Sequence, residues 1–554
     1  MGATLPQPRR PARAALPAWL PLALILALAA LLRLWGVTWG LPSTAHLFSY
    51  HPDEFHSLRG ALSLLLLGDL NPHFFNYGSL YLYLAAAAAG LTGTMPPPDL
   101  AFDGMVQVLH DWTLAARLVT VLCGVLTVAV VYRLGDLLTG RRLGLGAAVA
   151  LAVMPLHVLH STYATVDVPQ GLFVALALLF AVRIARQGSP RDYVLAGLCA
   201  GLAASAKYSG ALVLVAPLVA HMLPSRDDRP TSAVALVSVW PLVTAGVALL
   251  AFLFTSPYTL LDWTNARADL TYEMSHMRVG EEPTRSADPS GWLFHGRNLL
   301  LASTGMGALG LLGVVGLGRR GQLRSFLGPL AFALLWMVVI ASANVRYLRY
   351  ELALTPLVAL LAVAATFALW ARRPELRLLA LALPTVAIGL GLGVSARLAE
   401  GLRARPDPRD LARDEVIRRV PPDQTVGMVW EPWFQSAPLD RCNGGHVLRN
   451  NPLWARYKEP VRELSVTGLD PKRLQVERPL AYVTSNFETR DWLRARDPNA
   501  LEFMQVLEES YALGAVCARP APLDGLWGWQ PPQDWLYPFP TVEVRLRRGD
   551  RAPP

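Results

Sequence analysis

Charge is scarce in this chain. Only 16% of its 554 residues are Asp, Glu, Lys or Arg, where soluble domains carry about a quarter. With 53% apolar residues and a mean hydropathy of +0.33, the composition excludes an ordinary soluble globular protein. Cysteine is scarce too, at four residues. Cys123 and Cys199 fall inside apolar runs as packing residues, while Cys442 and Cys517 fall in a polar region where a disulfide between them stays open. No tandem repeat is evident, which weighs against the paired-repeat organisation common in secondary transporters. The net charge is +9, but the arginines sit in short loops between apolar runs. That placement marks cytoplasmic loops and not a nucleic-acid face.

Apolar blocks long enough to cross a bilayer, about 17 to 25 residues each, recur from residue 16 to about residue 397. The first, 16–37, follows Arg9, Arg10 and Arg13 and is read as a retained anchor, because it is long, carries Arg33 and lacks a small-x-small cleavage site. Further basic clusters occur at Arg133/Arg141/Arg142, Arg183/Arg186/Arg191, Arg226/Arg229, Arg319/Arg320/Arg324 and Arg372/Arg373/Arg377. Placing each inside gives spans at 16–37, 115–138, 143–161, 168–186, 193–206, 209–223, 233–255, 293–317, 326–342, 351–371 and 378–398. The expectation is an all-α polytopic membrane protein of about eleven transmembrane helices. Its basic N-terminus, 1–15, is cytoplasmic, the membrane domain is 16–399, and a small C-terminal α/β domain, 400–554, is extracytoplasmic. A long first outer loop, 38–114, holds juxtamembrane helices at 54–67 and 77–91, with Tyr77, Tyr81 and Tyr83 in the interface. In the last region, 408–420 reads as a helix and 425–430, 480–486 and 541–546 as strands.

This orientation brings the polar groups at span ends onto the outer face: Asp53 and Glu54 after the first span, Arg117 entering the second, Asp167 after the third, Lys207 between the fifth and sixth, Arg346 and Arg349 after the ninth. Ionisable groups at membrane depth are costly, so several on one face call for a shared reason. In HPDEFH, Pro52 suits a helix start, and Asp53 and Glu54 near its positive end stay ionised and can act as base. With His51 or His56 they could hold a divalent cation; a capped interfacial turn is the competing reading. In HVLHSTYATVDVP, His157, His160, Tyr163 and Asp167 recur at helical spacing, against satisfied core histidines and a capping Asp. Lys207 lies among small residues with no acidic neighbour in sequence, or simply snorkels. Arg346 and Arg349 stand at i, i+3 beside tyrosines, as bidentate phosphate ligands would. The 255–282 loop adds Asp262, His276 and Arg278, or is merely solvated.

The order and spacing of these pieces resemble the bacterial GT-C glycosyltransferases that use polyprenyl-phosphate sugars, the group of protein O-mannosyltransferases and the lipid A aminoarabinose transferase. The resemblance covers 19–397 and rests on HPDEFH, the run 116–169, AGLAASAKYSGALVLV, SPYTLLD and RYLRY. It implies a GT-C fold and an integral membrane glycosyltransferase that moves a hexosyl or pentosyl group from a polyprenyl-phosphate carrier to a protein, lipid or glycan hydroxyl outside the cell membrane. By position it implies Asp53, with Glu54, at the acceptor hydroxyl, Asp167 in the site, and Arg117, Lys207 and Arg346, with Arg349, at the carrier phosphate. His51, His56, His160, Tyr163 and His276 are left as substrate or metal contacts. A divalent metal stays open and no nucleotide cofactor is expected. The rivals are a transporter or flippase of lipid-linked sugars and a non-catalytic scaffold.

Overall fold

The computed structural model describes residues 17–223, 238–370 and 374–549. The basic clusters at Arg9/Arg10/Arg13, Arg226/Arg229 and Arg372/Arg373 lie outside the described residues. Among the described residues helices fall within the expected spans, and a further one, Trp263–Val279, occupies most of the stretch 255–282 expected as a loop. Among the described residues, five helical stretches are long and apolar enough to cross a membrane: Phe102–Thr139, Asp167–Arg186, Arg324–Ser342, Leu348–Trp370 and Leu376–Arg419. The bent pair Gly291–Ala302 and Met306–Arg319 makes a sixth if taken as one span.

The remaining expected spans are short or broken, and each break has a local cause. The expected span 143–161 divides into Arg141–Ala152 and Pro155–His160, because the residue before a proline is pushed out of the helical region and Met154 is extended. The span 293–317 bends by 92° where Thr304 (φ +54°) and Gly305 (φ +86°) adopt left-handed backbone. Between Pro190–Ala206 and the 3₁₀ run Tyr208–Leu214, Lys207 is extended, with φ −153° and ψ 131°. Non-helical backbone at membrane depth is tolerated where it is buried in protein or lines a cavity, and the break at Lys207 does line one.

The first outer loop is less regular than expected. Glu54–Ser57, Arg59–Ala61 and a π turn at Leu62–Leu66 replace one juxtamembrane helix, and Leu80–Leu91 forms the other. Tyr81 does not sit in an interface. It is fully buried and its hydroxyl bonds Thr120 Oγ1 at 2.6 Å and donates to the Ala116 carbonyl at 2.9 Å, because a buried phenol needs a polar partner.

In the C-terminal region Asp407 caps the helix Pro408–Arg419 through the Arg409 amide. Among the described residues five strands form one mixed sheet: β1 (Thr425–Met428), β2 (Glu463–Val466), β3 (Ala481–Ser485), β4 (Tyr511–Ala518) and β5 (Thr541–Arg547), in the order β2-β1-β3-β5-β4. The β1–β2 and β1–β3 pairs are parallel and the pairs made by β5 antiparallel. One face packs Ala412 and Val416 of the capped helix over Val426, Met428 and Val544, and the other packs Phe503 and Leu507 over Tyr482. Cys442 and Cys517 are buried free thiols.

This region is stitched to the membrane part. The Phe48 amide donates to Asn443 Oδ1 at 2.9 Å, Tyr457 to the Leu100 carbonyl at 2.6 Å, and the Trp529 indole to Asn298 Oδ1 at 2.8 Å.

Candidate active site

Two adjacent carboxylates in the first loop face opposite ways. A helical turn rotates successive side chains by about 100°, and Glu54 opens a helix where Asp53 precedes it. The Glu54 side chain is 1% exposed. It is held by Arg117 in a fork, Nε to Oε1 and Nη2 to Oε2, both at 2.7 Å, while Arg117 Nη1 donates to the carbonyls of Val37 and Trp39 at 2.7 and 2.6 Å. The Ala164 amide adds a bond to Glu54 Oε1 at 2.8 Å. One buried ion pair thus ties the end of the first helix, the outer loop, the long helix Phe102–Thr139 and the 155–165 turn together. Neither residue lines the cavities described next. The carrier-phosphate role expected of Arg117, and the catalytic role of Glu54, meet groups already spent on each other.

Asp53 is 22% exposed and receives Arg349 Nη2 at 3.0 Å. It lines a cavity of about 610 Å³ together with His56, His276, Tyr347, Arg349 and Tyr350. Burial alone would raise its pKa, but the Arg349 guanidinium, supported by His51, His56 and Lys207, more than offsets this and the net shift is downward. Asp53 is therefore an ionised carboxylate facing open space.

Lys207 sits at the helix break and donates through Nζ to Asp167 Oδ1 at 2.8 Å, which supplies the acidic partner that the local sequence lacks. Its ammonium lies 4.7 Å from the ring centroid of Tyr350 and 5.7 Å from that of Tyr77. A second cavity, of about 150 Å³, is lined by the polar Asp167, Gln170 and Lys207 and by the apolar Trp336, Val339 and Ile340. Asn76, Glu273 and Tyr350 line both cavities.

The two arginines of RYLRY part company. Helical i, i+3 spacing does not apply, because Tyr347 is extended and only Leu348–Leu354 coils, as a 3₁₀ run. Arg349 turns to Asp53 and stacks on Tyr347 at 3.8 Å, whereas Arg346 donates to the Pro289 carbonyl at 3.2 Å and lines neither cavity.

Among the histidines, His56 lines the larger cavity, stacked on Phe74 at 5.0 Å. His276 lies 3.3 Å from Glu281. His51 is buried behind Asp53, accepts the Asp53 amide at 3.2 Å and packs on Tyr163 and Tyr537 at 4.5 and 4.8 Å. His160 and Tyr163 are fully buried, and among the described residues neither the His160 ring nitrogens nor the Tyr163 hydroxyl has a hydrogen-bond partner. Among the described residues no three His, Cys, Asp or Glu side chains gather as a metal-binding group.

Sequence reasoning missed Asp269 and Glu273, which line the larger cavity from the helix Trp263–Val279 with His276. Their i, i+4, i+7 spacing was a readable signal. It also missed Asp534 and Tyr537, for which no local pattern exists.

Residues 96–258 match the family model for dolichyl-phosphate-mannose-protein mannosyltransferase. Over nearly the whole chain the fold is that of ArnT from Cupriavidus metallidurans, solved bound to undecaprenyl phosphate: 14% identity, 95% of this chain and 98% of that one covered, TM-score 0.50. It is likewise similar to the Archaeoglobus fulgidus oligosaccharyltransferase in its apo form, at 13% identity with 91% and 74% covered and a TM-score of 0.51. No curated protein matches in sequence. The chain thus carries the fold of GT-C membrane glycosyltransferases of the O-mannosyltransferase and ArnT type. That likeness extends beyond the membrane helices to the C-terminal region.

Proposed function

We propose that this protein transfers a sugar from a polyprenyl-phosphate carrier to an acceptor hydroxyl on the extracytoplasmic face of the membrane, with inversion and with Asp53 as general base. The reading takes the N-terminus as cytoplasmic, about eleven crossings, and residues 400–554 as the outer domain. The observation that carries it is that an ionised, part-exposed Asp53 and the cations Arg349 and Lys207 border two cavities that share a wall.

The acceptor hydroxyl gives its proton to Asp53 as its oxygen bonds to the anomeric carbon. The bond from that carbon to the carrier phosphate breaks, and the phosphate leaves with the electron pair. Positive charge aimed at the leaving group is commonly the largest single contribution in such sites. Lys207 has three donors, of which Asp167 uses one. Arg349 meets Asp53 through Nη2, and its fork is suited to phosphate. Trp336, Val339 and Ile340 would take the first isoprene units.

The test is purified protein in proteoliposomes, given radiolabelled polyprenyl-phosphate-mannose and its glucose and pentose counterparts, with membranes from a deletion strain as acceptor. Label is expected in acceptor material that survives extraction of lipid donor. Movement of the donor across the bilayer without any transfer would instead establish the flippase reading, and neither would leave a scaffold. Lys207→Met is expected to raise the donor KM about 10- to 100-fold, the worth of a charge-assisted hydrogen bond, with acceptor KM unchanged in the same assay.

A further inference from the structure

The C-terminal region reaches into this centre. Trp529, 1% exposed, and Trp535, fully buried, meet edge to face at 5.5 Å; the Trp529 indole donates to Asn298 of the membrane part at 2.8 Å and the Trp535 indole to the Pro522 carbonyl of its own region at 3.0 Å. Between and beyond them lie Asp534 and Tyr537. Asp534 is fully buried. Its Oδ2 accepts the Arg349 amide at 2.9 Å and lies 4.0 Å from both Arg349 Nη1 and His160 Nε2. Among the described residues its Oδ1 has no partner. The Tyr537 ring packs on His51, which bonds the Asp53 amide.

A buried carboxylate is costly unless a cation and donors answer it. Here the donor is the amide at the start of the 3₁₀ run Leu348–Leu354, a position without a partner inside its own turn, and the cation is the side chain of the same residue. Asp534 thus holds Arg349 by backbone and charge together, and Arg349 in turn holds Asp53 at 3.0 Å.

We infer that Asp534 is a positioning residue for sugar transfer: contributed by the C-terminal region, it orients Arg349 toward Asp53 and the carrier phosphate, so that the outer region is a working part of the active centre. The inference rests on the proposed transfer reaction and extends it to a residue that does not line the cavity.

Two measurements on the full chain in nanodiscs test it. Asp534→Asn keeps shape and an acceptor oxygen while removing charge. By cryo-EM its Arg349 guanidinium is expected to leave Asp53, and with the donor that the native protein turns over, kcat is expected to fall about 10- to 100-fold, the effect of misplacing a group by an ångström, with donor KM within about threefold. Asp534→Glu, which overfills the site but keeps the charge, should retain more kcat than Asp534→Asn. In an Arg349→Lys background the Asp534→Asn change should cost about twofold or less, because contacting residues are not additive.

Arg349 unmoved, equal losses in both backgrounds, or a misfolded Asp534→Asn protein would each overturn the inference. Loss of transfer in Asp53→Asn with none in Asp534→Asn overturns it alone. Full transfer in Asp53→Asn overturns the base assignment, and the Arg349 geometry is then still decided by the cryo-EM map.

Discussion

Asp53→Asn is expected to lower kcat for sugar transfer about 10²- to 10⁴-fold, the range that a positioned general base contributes, while the protein inserts and unfolds like the native chain. The carboxylate is 22% exposed and faces the larger cavity, and an isosteric amide keeps an acceptor oxygen for Arg349, which retains the Asp534 carboxylate 4.0 Å away. Transfer from the labelled donor in proteoliposomes measures kcat, and thermal unfolding in the same detergent measures integrity. A variant with native turnover ends the base assignment. The pH profile carries a sign as well. Asp53 has a lowered pKa because Arg349 outweighs burial, and only the ionised form accepts a proton. The acid limb of kcat/KM in the native protein should therefore lie below the ordinary Asp value of about 3.9. In Arg349→Gln burial acts without its largest counterweight, and the limb should move upward.

How much of this could be read beforehand differs from residue to residue. Low charge and recurring apolar runs carry the membrane class, because hydropathy depends on composition over windows of about twenty residues. The irregularities within those windows are harder. Pro155 is plain in the sequence, yet an apolar run continues across it, so hydropathy alone reads one span where the backbone makes two. At Thr304 and Gly305 the bend comes from two left-handed residues with nothing but small side chains to announce them. Arg346 and Arg349 were paired by a helical period that the extended Tyr347 cancels. Lys207 carried an unused signal: only three lysines stand beside 47 arginines, and it is the one within the apolar stretch. Asp534 had none, since its partners lie 185 residues earlier at Arg349 and further back at His160, contacts that depend on tertiary packing alone.

The neighbour of Asp53 is expected to behave in the opposite way. Glu54→Gln should destabilise the protein by about 3–5 kcal/mol, the cost of leaving a buried charge without its partner, because Arg117 is fully buried and donates to both Glu54 oxygens at 2.7 Å. Arg117→Met should cost a similar amount, and the double variant Glu54→Gln/Arg117→Met should recover much of the loss, since no unpaired charge then remains. Denaturant or thermal unfolding in one detergent decides this, and additive losses would show that the pair is not the unit that holds the loop. The acid side supplies a second sign. Burial raises the Glu54 pKa, but Arg117 outweighs burial and the net shift is downward. A carboxyl with a depressed folded pKa contributes stability that is complete above its unfolded value, about 4.3, and is lost as pH falls through the folded one. The native protein should therefore soften only below about pH 4 on this account, and Glu54→Gln should lack that component of the slope. Any loss of transfer in Glu54→Gln should follow the fraction unfolded, whereas Asp53→Asn loses transfer while folded. Two adjacent carboxylates in HPDEFH are thereby separated by measurement, one holding the loop in place and one doing chemistry from it.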